Sequence, residues 1–148
     1  MPIEVTSVVQ LDDGLRGDII RLLADLSPDR IPPTPAELEA IVTSGSVRLL
    51  VARHPEVGSG VAGMVSLVIY RVPTGLRARI EDLVVLSQTR GLGIGKALML
   101  QAIALARDQG ASVIELTCNP RRIQANRLYQ ALGFRKWDTN VYRLNLGV

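Results

Sequence analysis

The chain has 148 residues, of which 47% are hydrophobic and 21% charged, a balance typical of a folded domain and not of a disordered one. Aromatic residues make up only 3%, so the core must consist mainly of Leu, Val, Ile and Ala, and recognition of single-stranded nucleic acid by base stacking is disfavoured. The net charge of +3 is modest, and we expect no nucleic-acid partner.

The first half of the chain alternates strand and helix patterns. Residues 3–9 are rich in β-branched residues and predict a strand, and a helix with apolar residues at helical spacing then begins at Asp12-Asp13. A proline-rich loop ends this helix. The segment Thr34-Pro35-Ala36-Glu37 predicts a second helix, because it combines a capping box with a proline at the first helical position.

The remaining elements complete one mixed α/β domain over residues 1–148. Strands 47–53 and 61–72 are predicted to form an antiparallel hairpin, and we expect His54 in the turn between them to be a surface residue. The later elements are a strand at 77–86, a helix at about 93–109, a strand at 112–117 that makes a parallel pair through a right-handed crossover, a helix at 121–132, and a closing hairpin of 134–137 and 141–146.

A strand, a glycine-rich turn and a helix start follow one another between Ile80 and Leu98. Gly91, Gly93 and Gly95 remove side chains from the turn, so backbone N–H groups can approach a bulky anion closely. The helix adds its unpaired first-turn N–H groups and the positive end of its dipole. This combination predicts a phosphate-binding site.

Two common nucleotide motifs do not fit this turn. A P-loop would need glycine where Arg90 stands and a hydroxyl where Ala97 stands. A dinucleotide fingerprint would need glycine at position 96 or 98, and these residues are Lys96 and Leu98. An ordinary glycine-rich turn without a ligand remains the simpler alternative.

Two segments resemble signatures of the GNAT superfamily of N-acetyltransferases. Gln88-x-x-Gly91-x-Gly93 resembles its acyl-CoA pyrophosphate loop, and Asn119 to Phe134, with Asn126, Tyr129 and a Leu-Gly-Phe end, is similar to its second motif. The resemblance covers about residues 80–134. It implies the superfamily fold: a central, mostly antiparallel sheet with a splayed parallel pair and helices on both faces.

The resemblance implies an acetyl-CoA-dependent N-acetyltransferase that acts by direct attack of a primary amine through a tetrahedral intermediate. Acetyl-CoA is then the co-substrate, and we expect no metal. The implied cofactor contacts come from Leu83, Val84, Val85, Gln88, Arg90, Gly91, Leu92, Gly93, Ile94, Gly95, Lys96, Asn119 and Asn126. For Asn126, a solvent-facing helix position is the alternative.

Two residues are implied in catalysis. Tyr129 stands where the superfamily commonly has a tyrosine that protonates the departing thiolate, and a core aromatic is the alternative. Glu81 is the first choice as base, through water, because strand alternation puts it on one face with Leu83 and Val85. Asp82 is the second candidate. The alternative is that the Glu81 carboxylate only pairs with Arg77 or Arg79.

A backbone N–H, expected at Val85, would stabilise the oxyanion. The segment Ile80 to Val85 is also similar to glucosamine-6-phosphate N-acetyltransferases, but that family has an acidic residue where Thr117 precedes Cys118 here. This departure puts a sugar-phosphate acceptor in doubt. We expect acceptor residues on the first two helices, the proline-rich loop and the closing hairpin.

Other classes of function stay open: a non-catalytic acyl-CoA sensor of the same fold, and an unrelated nucleotide-binding module. The single cysteine, Cys118, excludes an internal disulfide and a multi-cysteine zinc site. No signal peptide is visible and no apolar run reaches the roughly 20 residues of a membrane span, so we expect a cytoplasmic protein with no membrane partner. The resemblance to the superfamily leads us to expect a homodimer.

Overall fold

The structure is a computed structural model that describes residues 2–147. The chain divides into two compact units, Met1–Thr117 and Cys118–Val148, which are described separately. The larger unit contains β1 (Glu4–Ser7), α1 (Asp13–Leu26), α2 (Pro35–Thr43), β2 (Val47–Arg53), β3 (Val61–Val72), β4 (Gly75–Val85), α3 (Ile94–Asp108) and β5 (Ile114–Glu115). The smaller unit contains α4 (Ile123–Ala131).

One mixed sheet organises the larger unit. Its strands lie in the order β1-β2-β3-β4-β5, and the first four are antiparallel. The last pair, β4 and β5, is parallel and is joined through α3. The predicted mixed α/β class, the hairpin of β2 with β3 and the parallel crossover are therefore confirmed.

Helices cover both faces of this sheet. Leu49 and Val51 belong to a buried cluster with Ile19 of α1 and Leu38 of α2. On the opposite face, a Cβ at Gly63 of β3 would lie 3.0 Å from Cγ2 of Ile94 in α3. The alternation of side chains along each strand therefore separates a core under α1 and α2 from a core under α3.

Local side-chain contacts explain where α1 and α2 begin. The Leu15 N–H donates to Oδ1 of Asp12 at 2.7 Å, which caps α1. At α2, the Glu37 N–H donates to Oγ1 of Thr34 at 3.2 Å, and the Thr34 N–H donates to Oε1 of Glu37 at 3.0 Å. The predicted capping box is therefore present, with Pro35 in the first turn.

One predicted strand near the end of the chain is too long, and the predicted closing hairpin is wrong. The strand expected at 112–117 is shorter in the structure, where it covers Ile114–Glu115, although the Ser112 N–H also donates to the Leu76 carbonyl and the Val113 carbonyl accepts from the Ala78 N–H, both at 2.9 Å. The closing hairpin is absent, since no strand occurs in the described residues after α4. Tyr142, Leu144 and Leu146 do alternate with polar residues, but a strand also needs a hydrogen-bonded neighbour, and these three side chains are 83% to 89% exposed.

His54 is also placed wrongly by the sequence pattern, because it is buried at 7% exposure. Its Nδ1 accepts a hydrogen bond from the Glu56 N–H at 3.1 Å and caps a short 3-10 turn at Pro55–Val57. This hydrogen bond satisfies one ring nitrogen, which makes burial of the imidazole less costly.

Candidate active site

A bulge interrupts β4 beside the predicted catalytic residues. Ser66 of β3 pairs with Glu81, whereas Met64 pairs with Val84, so two residues of β4 lie opposite one residue of β3. One of the two, Asp82, has φ of 52° and is the single non-glycine residue with positive φ in residues 2–147. Aspartate tolerates this left-handed conformation better than most residues, but the backbone is still strained there.

The bulge corrects the predicted arrangement of side chains on β4. Residues that pair across a sheet lie on the same face, as do alternate residues of a strand. Glu81 therefore shares a face with Val84, through the pairs that both make with alternate residues of β3. The prediction that Glu81 lies with Leu83 and Val85 is wrong, because the extra residue reverses the alternation.

The last part of β4 has a free edge. Pairing with β5 ends at Arg79 and Glu115, although β4 continues to Val85. On the other side, the Leu86 N–H donates to the Ala62 carbonyl at 2.8 Å. Since antiparallel hydrogen bonds alternate in direction, the Val85 N–H points away from β3 toward the unpaired edge. The side chains of Leu83 and Val84 are buried in the sheet.

A tight turn joins this edge to α3. Ser87–Thr89 form a single 3-10 turn, in which Oγ1 of Thr89 donates to the Leu86 carbonyl at 2.9 Å. Thr89 is buried at 1% exposure, so it fixes the path of the chain between Gln88 and Arg90. Thr89 is not among the site residues predicted above; its sequence signal is a β-branched hydroxyl residue within a glycine-rich segment.

The glycine-rich segment leaves the N-terminus of α3 open. Gly91 and Gly93 have φ of 84° and 83°, and Gly93 is the N-cap residue without a side-chain cap. The first backbone bond of the helix runs from the Ala97 N–H to the Gly93 carbonyl at 3.0 Å. The three N–H groups of residues 94–96 precede that bond and point out of the helix end.

The side chains around this end differ in burial. Ile94 is buried at 1% exposure and anchors the helix start in the core. Arg90 and Lys96 are exposed cations, and Gln88 and Leu92 are also exposed. The turn therefore presents backbone donors, a helix dipole and two positive charges to solvent, which together suit an anion with several oxygens.

The two candidate bases lie in different environments. Glu81 forms an ion pair with Nε of Arg79, whose Nη2 donates to Oγ1 of Thr117 at 3.4 Å. The predicted structural alternative for Glu81, pairing to an arginine, is therefore present. Asp82 has no ion-pair partner within 4.0 Å in the described residues. Partial loss of water raises the pKa of Asp82, the Glu81 carboxylate raises it further, and the charge of Arg30 lowers it.

The smaller unit brings together Asn119, Asn126 and Tyr129. Nδ2 of Asn126 donates to the carbonyls of Asn119 and Arg122 at 3.0 and 2.8 Å, and it lies 3.4 Å from Sγ of Cys118. Oδ1 of Asn119 accepts from the Arg121 N–H at 2.9 Å. These bonds hold the turn before α4 against the helix.

Tyr129 is buried at 6% exposure, and its ring meets Phe134 edge-on at 6.0 Å between centroids. Burial raises the pKa of the Tyr129 hydroxyl, the Cys118 thiol raises it further, and Arg122 lowers it. The hydroxyl therefore stays protonated through the neutral pH range. Both the predicted acid role and the alternative of a core aromatic are compatible with this environment.

The predicted residues fall into two groups. Glu81, Leu83 to Val85 and Gln88 to Lys96 lie together along β4, the turn and the start of α3, whereas the other three lie around α4. No group of three His, Cys, Asp or Glu side chains in residues 2–147 is arranged to hold a metal ion. In the same range, no helix is long and apolar enough to cross a membrane.

A bulged strand with a free edge, followed by a glycine turn and an uncapped helix, is the arrangement that the sequence resemblance predicts for an acyltransferase fold. The Acetyltransferase (GNAT) family model matches residues 18–134. The chain belongs to this family.

Individual relatives agree with the family assignment. The chain is 43% identical to the mycothiol acetyltransferase of Paenarthrobacter aurescens over 54 residues, which are 36% of this chain and 17% of that protein. Among eight curated relatives that the chain matches, it spans 17% to 38% of their length.

Solved structures match over nearly the whole chain. A Trypanosoma brucei acetyltransferase has a TM-score of 0.78 at 26% identity, with 98% of this chain and 100% of that chain covered. The structure of AAC(6')-Iy in complex with the bisubstrate analog CoA-S-monomethyl-acetylneamine has a TM-score of 0.78 at 17% identity, with 98% and 99% covered. The splayed mixed sheet predicted by the resemblance is thus the fold of this chain.

Proposed function

We propose that this chain is an N-acetyltransferase, which moves the acetyl group of acetyl-CoA to a primary amine of a small molecule or peptide. The observation that carries the proposal is the continuous surface formed by the free edge of β4, the glycine turn and the uncapped N-terminus of α3. Membership of the GNAT family supports the same reaction class.

The cofactor is bound in three parts. The backbone N–H groups of residues 91–96 hold its pyrophosphate, and the exposed side chains of Arg90 and Lys96 neutralise phosphate charge. The pantetheine arm carries amides and adds along the free β4 edge like a further strand, over Leu83 to Val85. Gln88, Asn119 and Oδ1 of Asn126 supply further polar contacts. The uncapped N-terminus of α3 supports the assignment of the pyrophosphate.

Acetyl transfer then requires a stabilised oxyanion. As the amine attacks the thioester carbon, the carbonyl oxygen becomes negative, and a preorganised N–H lowers the energy of that charge. We assign this role to the Val85 N–H. Its direction away from β3 supports the assignment, because the N–H has no strand partner on that side within the described residues.

The attacking amine must be neutral. An amine with a pKa near 10.4 is only about 0.04% neutral at pH 7, so about 4–5 kcal/mol depends on removing its proton. We assign the base role to Glu81, acting through water, with Asp82 as the second candidate. Glu81 lies beside Arg79 at the bulge, and the raised pKa of Asp82 increases the affinity of that carboxylate for the proton.

We assign Tyr129 as the acid that donates to the departing thiolate. A thiol has a pKa near 8.5 and a tyrosine near 10, so complete transfer is uphill by about 2 kcal/mol before the raised pKa of Tyr129 is counted. Donation therefore begins as a hydrogen bond from the Tyr129 hydroxyl to the sulfur as the sulfur gains negative charge. The proton that the amine loses balances the proton that the sulfur gains.

We further propose that residues 1–148 form one N-acetyltransferase domain, that the protein is cytoplasmic and homodimeric, and that it has no nucleic-acid or membrane partner. The family match supports one domain, since it crosses the boundary between the two units. The exposed, alternating Tyr142, Leu144 and Leu146 support association of copies, because such a pattern suits pairing with another strand.

Calorimetry and a thiol-release assay together test the proposal. We expect CoA to bind at micromolar concentration while ATP and NAD give no heat, and we expect thiol release with at least one member of an amine panel. CoA binding without thiol release from any amine would favour the non-catalytic sensor. Stronger binding of ATP or NAD than of CoA would contradict the proposal.

A further inference from the structure

The ends of β3 and β4 near the turn that joins them have two faces that differ in burial. Leu67, Ala78 and Ile80 lie on the face toward α3 and are at most 4% exposed. The opposite face, which we call the open face, consists of three residues of β3 and their cross-strand partners on β4, all partly exposed: Ser66, Val68, Tyr70, Glu81, Arg79 and Arg77.

The open face continues from the core beneath α1 and α2. Leu49 of that core pairs with Ser66, so the two side chains lie on the same side of the sheet. Met64 and Val84, which pair with each other beyond the bulge, belong to the same core. The buried core therefore reaches the bulge from one side, and Glu81 lies at the boundary between the core and the open face.

Glu81, Arg79 and Arg77 form a line along the open face. They are alternate residues of β4, and the bulge follows Glu81, so it does not interrupt their alternation. The ion pair between Arg79 and Glu81 shows that neighbouring members of the line touch. A strand rises by about 3.3 Å per residue, so Arg77 and Glu81 lie about 13 Å apart along β4. The line thus joins the proposed base to a second cation at a fixed distance.

Arg77 carries the free charge of this line. No carboxylate lies within 4.0 Å of its guanidinium in residues 2–147, whereas Arg79 is paired with Glu81. Nη2 of Arg77 donates to Oγ1 of Thr74 at 2.8 Å, and a guanidinium has more N–H donors than this contact uses. The contact restricts the side chain, which reduces the entropy lost on binding an anion. Arg77 is therefore suited to hold a carboxylate through two parallel hydrogen bonds.

We propose that the acceptor is the N-terminal amine of an extended peptide, and that Arg77 binds a carboxylate of this peptide about 13 Å from the reacting nitrogen. The inference rests on the proposed function and names the acceptor class for the same site. The amine lies beside Glu81 and the peptide runs along the open face, bordered by Ser66 and Tyr70. The carboxylate takes no part in acetyl transfer, so the reaction is the one already described.

Other acceptors match this spacing less well. A simple alkylamine brings no anion to Arg77. A free amino acid separates its amine from its carboxylate by a single carbon atom, and an amino sugar phosphate separates its charges by little more than one ring. An extended peptide rises by about 3.4 Å per residue, so about four residues span the line.

The experiment uses peptide length as a ruler. Alanine peptides of one to six residues are prepared with a free C-terminal carboxylate and as C-terminal amides, and kcat/KM is measured for each by thiol release. At every length we take the ratio of kcat/KM for the acid to that for the amide. A second series of alanine hexapeptide amides, each with one glutamate, distinguishes a side-chain carboxylate from a terminal one.

The variants are Arg77→Gln, Arg77→Glu and a control, Arg71→Gln. Arg71 belongs to the same hairpin, but it pairs with Leu76 and lies on the opposite face, where it is exposed. Each ratio compares two substrates of one enzyme preparation, so a loss of folded protein does not change it. The acid and the amide of one length can differ in amine pKa, and this difference cancels when variants are compared at that length.

We expect the ratio in the wild type to be greatest at about four residues. Arg77→Gln should lower the ratio at that length by about fivefold, which is typical of an ion pair that stays partly in water. Arg77→Glu should lower it further, because like charges repel. Arg71→Gln should keep the wild-type ratio. A preference for glutamate near the fourth position of the second series would extend the inference to longer acidic peptides.

Three results would overturn the inference: a ratio independent of peptide length in the wild type, an unchanged ratio in Arg77→Gln, or thiol release with other amines but with no peptide. None of them would affect the proposed N-acetyltransferase function. Absence of CoA binding in the calorimeter would overturn the function itself, and the inference with it.

Discussion

Gly63 of β3 lies where α3 approaches the sheet, and a methyl group there tests the packing that supports the cofactor site. An added Cβ would lie 3.0 Å from Cγ2 of Ile94, 3.0 Å from the Val84 carbonyl oxygen and 3.2 Å from Cδ1 of Leu98. The Ile94 and Leu98 side chains are buried, and the carbonyl belongs to the sheet, so none of the three can move away freely. Gly63→Ala must therefore displace the start of α3 from β4.

Overpacking of this kind costs about 1–3 kcal/mol of the free energy of unfolding. The free energy of unfolding falls by about 1–3 kcal/mol per molar of urea, so the urea concentration at the unfolding midpoint should fall by roughly 1 M. Gly17→Ala is the matched control. Gly17 is exposed within α1 and has no atom within 4 Å of an added Cβ, so that variant should gain about 0.5–1 kcal/mol from helix propensity.

The assay is urea unfolding of both variants followed by circular dichroism, with a parallel calorimetric titration of CoA. Because Ile94 and Val84 flank the donors of the proposed cofactor site, Gly63→Ala should also weaken CoA binding, whereas Gly17→Ala should not. A midpoint for Gly63→Ala at or above the wild type would show that α3 does not pack as closely on β3 as the structure has it, and the reasoning would fail.

Three further variants test local features. Asp82→Asn should be at least as stable as the wild type at pH 7, because ionising a carboxyl with a raised pKa lowers the free energy of unfolding as the pH rises above the ordinary value of 3.8. In urea unfolding, the advantage of the variant should vanish near pH 3. A variant less stable than the wild type at pH 7 would contradict this account. Tyr129→Phe should lower kcat about 10²-fold in the thiol-release assay with CoA affinity unchanged, and unchanged turnover would remove the acid role. Thr34→Ala should cost about 1 kcal/mol in urea unfolding, while Thr43→Ala, at the other end of α2, should change little; equal losses would refute the capping argument.

The features that sequence predicts well are those with local causes. The capping box of α2 depends on two residues three positions apart, Thr34 and Glu37, and the structure has both hydrogen bonds. The glycine turn is similar, since the positive φ of Gly91 and Gly93 is available to glycine at little cost. The positions of helices and strands in the larger unit also have a local cause, the periodic spacing of hydrophobic residues.

The features that sequence misses depend on distant partners. Nothing in the run from Ile80 to Val85 marks Asp82 as a bulge, because the extra residue exists only relative to the register of Met64 and Ser66 on β3. The closing hairpin fails for a related reason. Its alternation is a valid local signal, but a ladder needs a neighbouring strand, and the local pattern cannot supply one.

The bulge places a strained backbone beside the residues of the proposed reaction. A regular β4 would alternate its side chains without interruption and would leave no residue of the strand in a left-handed conformation. The extra residue instead moves the carboxylate of Glu81 to the face of Val84, exposes Asp82, and precedes the N–H of Val85 at the free edge. Under the proposed function, the Glu81 carboxylate acts as the base and the Val85 N–H stabilises the oxyanion, so groups on both sides of the bulge would take part in one reaction. We therefore propose that the strained backbone at Asp82 serves the proposed reaction.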